Sequence, residues 1–140
     1  MAENSGKEIY VRIPMLQDME IAATRVAEAL AETMHFDEEK IAEVSMALLE
    51  ACINAFEHSK SPEGKIHITF DIAGDQMKII LRDYGQGFDP DKVEKPDIKK
   101  KLRPGTRKRG WGLKLMESLM DSVDIYSDPK GTVVTMVKKK

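Results

Sequence analysis

Between Lys65 and Asp83 the chain alternates apolar and polar residues, and the alternation turns back on itself at Gly74-Asp75. Ile66, Ile68, Phe70 and Ile72 share one parity, Lys65, His67, Thr69 and Asp71 the other; beyond the turn, Met77, Ile79 and Leu81 resume the apolar set. A period of two sends successive side chains to opposite faces, so the run predicts a hairpin with one buried face. Such a face must be covered by another layer of the same domain. Asp83 falls on the same apolar parity. A carboxylate aimed at a core is costly unless something satisfies it, so this strand ends on a group for which the fold must provide.

The remaining elements can be read in the same way. Ile9, Val11 and Ile13 alternate with Tyr10 and Arg12, a short strand from Glu8 to Ile13 stopped by Pro14 and suited to a sheet edge or a contact between two copies. Leu16, Met19, Ala23, Val26, Leu30 and Met34 recur at helical spacing, with Glu20, Glu28 and Glu32 at polar positions. Asp37 is an N-cap candidate, and Glu38 and Glu39 favour the first turn of a second helix running to about Glu57. Helical spacing returns over Lys114 to Asp121. Val123, Ile125 and the run Thr132 to Val137 then form a closing hairpin around Asp128-Pro-Lys-Gly131. The terminal Lys138-Lys-Lys140 reads as a solvated tail. From Gly85 to about Arg109 there is no periodicity, and a stretch of that length in a compact domain reads as a lid or a disordered loop.

At 140 residues, 41% hydrophobic and 33% charged, the chain is expected to be one soluble globular domain. No apolar run approaches the roughly 20 residues of a membrane span, and no signal-peptide core opens the chain. The expectation is therefore a cytoplasmic protein without membrane association. The single Cys52 excludes an internal disulfide and a thiolate metal site, and its apolar setting suits a small buried hydrophobe. A net charge of −2 makes a general nucleic-acid surface a poor fit. The charge is uneven, however. Lys99, Lys100, Lys101, Arg103, Arg107, Lys108 and Arg109 crowd one segment, which suits a smaller anion such as a polyphosphate.

Three motifs carry the chemistry. In Glu50-Ala-Cys-Ile-Asn54-Ala-Phe-Glu-His58, helical spacing places Glu50, Asn54 and His58 on roughly one face. That face is either a polar surface in water or a base four residues before an amide oxygen able to bind Mg²⁺. His58 suits a helix-end hydrogen bond. Asp83-Tyr-Gly85-Gln-Gly87 is either an ordinary Gly turn or a carboxylate accepting from an exocyclic amine of adenine, with glycines letting the backbone approach the base. Gly110-Trp-Gly112-Leu113 opens a helical run whose first N–H groups can face phosphates. Gly105 to Gly110 has P-loop spacing, but Trp111 stands where the lysine is required. The histidines lack zinc spacing, and neither a dinucleotide fingerprint nor a nucleophile elbow is present.

Taken together, Glu50–His58, Asp83–Gly87 and Gly110–Leu113 resemble the N, G1 and G2 boxes of the GHKL ATPases, the superfamily of gyrase, MutL and histidine-kinase ATP domains. Leu119-Met-Asp121 and Gly131-Thr-Val-Val134 extend the likeness to the bacterial anti-sigma-factor serine/threonine kinases over nearly the whole chain. The resemblance implies an α+β fold, a two-layer α/β sandwich of the Bergerat type, with helices on one face of a mixed, mostly antiparallel sheet. It implies one ATPase domain over residues 1–140 with an ATP lid at about 88–109, and ATP and Mg²⁺ as cofactors. Glu50 would be the general base, Asn54 the Mg²⁺ ligand and Asp83 the adenine partner, with Thr132 assisting. Gly85, Gly87, Lys108, Arg109, Gly110, Trp111, Gly112 and Leu113 would surround the nucleotide. The implied partners are a sigma factor, held inactive, and a STAS-fold anti-anti-sigma protein, phosphorylated on serine or threonine; such proteins are commonly homodimers. A switch kinase acting on a STAS scaffold would use the same site, as would a nucleotide-gated binding module without kinase activity, against which Glu50 speaks. A sensor histidine kinase would need an upstream helix bearing a phosphoacceptor His, for which this sequence has no room.

Overall fold

The computed structural model describes residues 6–59, 61–85 and 109–140. Its elements follow in the order β1 (Lys7–Pro14), α1 (Met19–Thr33), α2 (Glu38–His58), β2 (Lys65–Ala73), β3 (Gln76–Asp83), α3 (Arg109–Leu119), β4 (Ser122–Asp128) and β5 (Gly131–Lys139). The strands form one sheet in the order β1-β2-β3-β5-β4, with the helices on one face, which is the expected two-layer α+β arrangement. Every ladder among the described strands is antiparallel, where the resemblance implied a mixed sheet. The reason is topological. β3 and β4 run in the same direction across the helical crossover, but β5 folds back between them, so the crossover forms no parallel ladder.

Strand parity sets the core. Ile66, Ile68 and Phe70 of β2, Met77, Ile79 and Leu81 of β3, and Val134 and Met136 of β5 all point into the helical layer. Each large side chain buried there stabilises by about 1.5–3 kcal/mol relative to exposure. From the other side α2 buries Val44, Ala47, Leu48, Ala51, Cys52 and Ala55, while α1 contributes the small residues Ala23, Ala27 and Ala31, which let the two helices approach closely. The Asp37 carboxylate accepts from the Lys40 N–H at 2.8 Å, so the expected N-cap forms. α1 starts at Met19 rather than Leu16, because Asp18 adopts φ 73 and makes no side-chain cap. It ends with His35 left-handed at φ 63, the His35 N–H bonded to Glu32 and the Phe36 N–H to Ala31, so the last carbonyls are satisfied.

The lysine tail is a correction. Strand parity carries Lys138 inward with Thr132, Val134 and Met136, and its side chain is buried. Its ammonium donates to the Leu119 carbonyl at 2.5 Å and pairs with Glu43 at 3.4 Å. A cation at the end of α3 satisfies an orphan carbonyl and suits the negative end of the helix dipole. Lys138 is therefore a clasp joining α2, α3 and β5.

Candidate functional site

Asp83 is the last residue of β3, and it emerges between sheet and helices with 5% of its surface exposed. Its Oδ1 accepts two hydrogen bonds, from the Gly85 N–H at 2.9 Å and from the Ser59 hydroxyl at 3.1 Å. The first is a local turn in which a carboxylate bonds the backbone two residues on. The second comes from the residue that ends α2. On the opposite face of the sheet the Arg82 guanidinium lies 5.0 Å from the centre of the Tyr84 ring, and His67 meets that ring edge-on at 5.2 Å. His67 in turn bonds Tyr10 and Glu63. The turn that carries Asp83 is thus held from both sides of the sheet.

Thr132 sits directly across the β3–β5 ladder from Asp83, equally buried, its Oγ1 within 2.9 Å of the Ser127 hydroxyl. The chain enters β5 through Gly131 at φ 141, where a Cβ would lie 2.1 Å from the Asp83 carbonyl oxygen. Only glycine tolerates that conformation and that approach.

α2 forms the facing wall. Its exposed stripe gives way to packed residues near Ala51, and Asn54 there is half-buried. The Oδ1 of Asn54 is itself buried and meets no hydrogen-bond partner among the described residues. Such acceptors are uncommon, and leaving one unsatisfied costs about 1–3 kcal/mol. An amide oxygen is a suitable ligand for a hard cation, and a single such oxygen suits an ion whose other ligands come from water or a bound anion.

Between these walls lies a cleft of about 480 Å³, measured out to its open mouth. Asn54, His58, Ser59, Asp83 and Thr132 supply its polar groups, and Ala51, Ala55, Leu81, Leu113, Met116, Ile125 and Val134 its apolar surface. A mostly apolar cleft with a few convergent polar groups suits a flat heteroaromatic ligand. Cys52, beside it on α2, is inert: burial pushes its thiol up to about 12, with Glu20 adding to the effect. Farther along, the Ser45 hydroxyl at 2.6 Å holds the Glu28 carboxyl below its ordinary value and ties α1 to α2.

Residues 14–138 match the model of the histidine kinase-like ATPase domain. The chain belongs to that family. Within the histidine kinase-like ATPases it is similar to the serine-protein kinase RsbW of Oceanobacillus iheyensis, 31% identical over 139 residues, spanning 93% of this chain and 85% of that one. The serine-protein kinase RsbW of Bacillus subtilis is 27% identical over 141 residues, 97% of this chain and 88% of that one. The fold is shared with the RsbU and RsbW domains of a Mycobacterium tuberculosis protein, at a TM-score of 0.71 and 18% identity. That likeness covers 95% of this chain and 32% of the longer one. The mycobacterial sensor histidine kinase MprB has the same fold at a TM-score of 0.50 and 15% identity, over 94% of this chain and 97% of that one.

Against this histidine kinase-like ATPase frame, Asn54, Asp83, Leu113 and Thr132 come together around the cleft. Gly85 stands behind Asp83 as a backbone donor. Glu50 is half-buried on α2 one turn before Asn54, beyond the lining of the cleft among the described residues. Gly110 and Gly112 lie in the first turn of α3, which packs beside α2. Gly87, Lys108 and the expected lid up to residue 108 lie outside the described residues, as do the side chains of Arg109 and Trp111. Ser59 and Ser127 went unnoticed in the sequence. Neither belongs to a periodic pattern, and only the fold shows which atoms their hydroxyls meet.

Proposed function

We propose that residues 1–140 act as a single ATPase domain that binds ATP with Mg²⁺ and works as a serine/threonine protein kinase and anti-sigma factor. The observation that carries this reading is the buried Oδ1 of Asn54, without a hydrogen-bond partner among the described residues, on a cleft that ends at the buried Asp83 carboxylate. One group suits a cation and the other an adenine amine, on facing walls. The names of the RsbW relatives support the kinase activity. Bound Mg-ATP supplies the phosphoryl group to be transferred. Asn54 would hold the cation through Oδ1, Asp83 and Thr132 would take the base, and the N–H groups opening α3 with Lys108 or Arg109 would face the phosphates. Glu50, one turn from Asn54, would accept the proton of the attacking hydroxyl.

The reading extends to partners. The chain sequesters a sigma factor and phosphorylates a STAS-type anti-anti-sigma protein, as a cytoplasmic homodimer with residues 88–109 as the lid. No helix among the described residues is long and apolar enough to cross a membrane. The test is single-turnover transfer from labelled ATP to a STAS partner, run beside binding titrations. Glu50→Gln keeps the shape of the side chain without its basicity, so transfer should fall by about 10²–10⁴ while ATP and partner binding persist. Transfer at the parent rate removes Glu50 as the base. A parent protein that binds ATP but transfers to no STAS partner is a nucleotide-gated binding module.

A further inference from the structure

The geometry points to Ser59 as a positioning residue that sets the preference for adenine by fixing the Asp83 carboxylate. The inference rests on Asp83 being the adenine partner. Ser59 ends α2, its backbone N–H donating to Ala55 at 2.8 Å, with an extended backbone at φ −78 and ψ 135. Its hydroxyl oxygen accepts the Ser61 N–H at 3.2 Å and lies 3.1 Å from Asp83 Oδ1. A hydroxyl has one hydrogen to give. With an N–H already on the oxygen, the acceptor within reach of that hydrogen is the carboxylate. Gly85 supplies a second donor to the same Oδ1 at 2.9 Å. Two donors on one oxygen lock the plane of the carboxylate and leave its acceptor capacity on the other oxygen for the exocyclic amine. A hydroxyl bond to a charged acceptor is stronger than a neutral one, and in a buried site it resists competition from water. Ser59 thereby ties the helix bearing Asn54 to the strand bearing Asp83, so the groups for cation and base are held in one frame.

The experiment compares two probes, ATP and purine riboside triphosphate, which lacks the exocyclic amine, titrated calorimetrically with Mg²⁺. Ser59→Ala keeps the backbone bond to Ala55 and suits the same φ and ψ, so helix capping is unaffected. It should weaken ATP by about three- to tenfold and leave the amine-free analogue within about twofold, collapsing the preference. Ser59→Thr keeps the hydroxyl on an extended backbone that β-branched residues favour, and should restore the preference. Equal weakening of both probes would make Ser59 a structural residue only, and no weakening of either would make its hydroxyl irrelevant; each overturns the inference. Should Ser59→Ala fail to fold, Ser59→Cys, whose thiol is a weak donor, carries the same comparison. Asp83→Ala is the control. If it retains the parent's preference for ATP, the adenine assignment itself fails. If it loses that preference while Ser59→Ala retains it, only the role of Ser59 fails.

Discussion

Gly131→Ala probes how closely the ends of β3 and β5 are keyed together. Gly131 stands at φ 141, and a Cβ there would lie 2.1 Å from the Asp83 carbonyl oxygen and 3.0 Å from the Tyr84 Cα, whereas ordinary contact begins at 3.4 Å. Both neighbours are backbone atoms, so no rotamer change relieves the overlap and the strands must part by more than an ångström. Holding a residue in such a conformation costs of order 1–3 kcal/mol, and each ladder bond stretched by the parting adds about 1, so a loss of about 2–4 kcal/mol is expected. Gly74→Ala is the internal standard. Gly74 turns the β2–β3 hairpin at φ 58 with nothing within 4 Å of the added Cβ, so it carries only the left-handed backbone cost of about 1–2 kcal/mol. Urea denaturation should place the Gly131 variant clearly below the Gly74 variant. Because the displaced atom belongs to Asp83, ATP affinity should also fall about tenfold in the Gly131 variant, equivalent to ~1.4 kcal/mol of lost contact, and stay unchanged in the Gly74 variant. Equal destabilisation and equal ATP binding would refute the keyed contact.

Asn54→Ala should abolish the Mg²⁺ dependence of ATP binding while leaving the urea midpoint near that of the parent, since Oδ1 has no hydrogen bond among the described residues to lose; identical metal titrations would return Asn54 to a structural role. Lys138→Ala should cost about 2 kcal/mol by leaving the Leu119 carbonyl without its charged donor, and Glu43→Gln distinctly less because Glu43 is better solvated; a denaturation midpoint unmoved by Lys138→Ala would dismiss the clasp. Cys52 should resist alkylation in the native protein at pH 8 and react on unfolding. Its folded pKa is raised to about 12 from 9.0, so the folded state binds the extra proton between those values, and this contribution to stability is intact below pH 9 and declines as pH rises above it. Rapid native labelling at pH 8 would contradict its burial.

Periodicity made most of the layers readable. Parity alone placed Ile66 to Leu81 inward and delivered Asp83 to the same side, where it lies buried and bonded. Period says which face a residue takes, not which strand it pairs with, so the insertion of β5 between β3 and β4 had no local signature. Lys138 was misread because a terminal run of lysines looks solvated until the strand parity is extended through Val137 to reach it. In the cleft, Asn54 and Asp83 stood out because polar groups on packed faces are costly. Met116 and Ile125 did not, since apolar residues in apolar patterns look the same whether they fill a core or line a cavity.

Asp83 and Thr132 face each other across a ladder although roughly fifty residues separate them in the chain. The two hairpins, β2–β3 and β4–β5, can each be built from sequence neighbours, whereas the seam that joins them must close that long loop before any contact repays it. The cleft therefore has no local precursor. It comes into being only when the second hairpin docks on the first, and any partial opening along that seam erases it while β1, β2 and β3 remain paired. A nucleotide that spans the seam would bind the docked form and not the open one, so its concentration would set how often the seam parts.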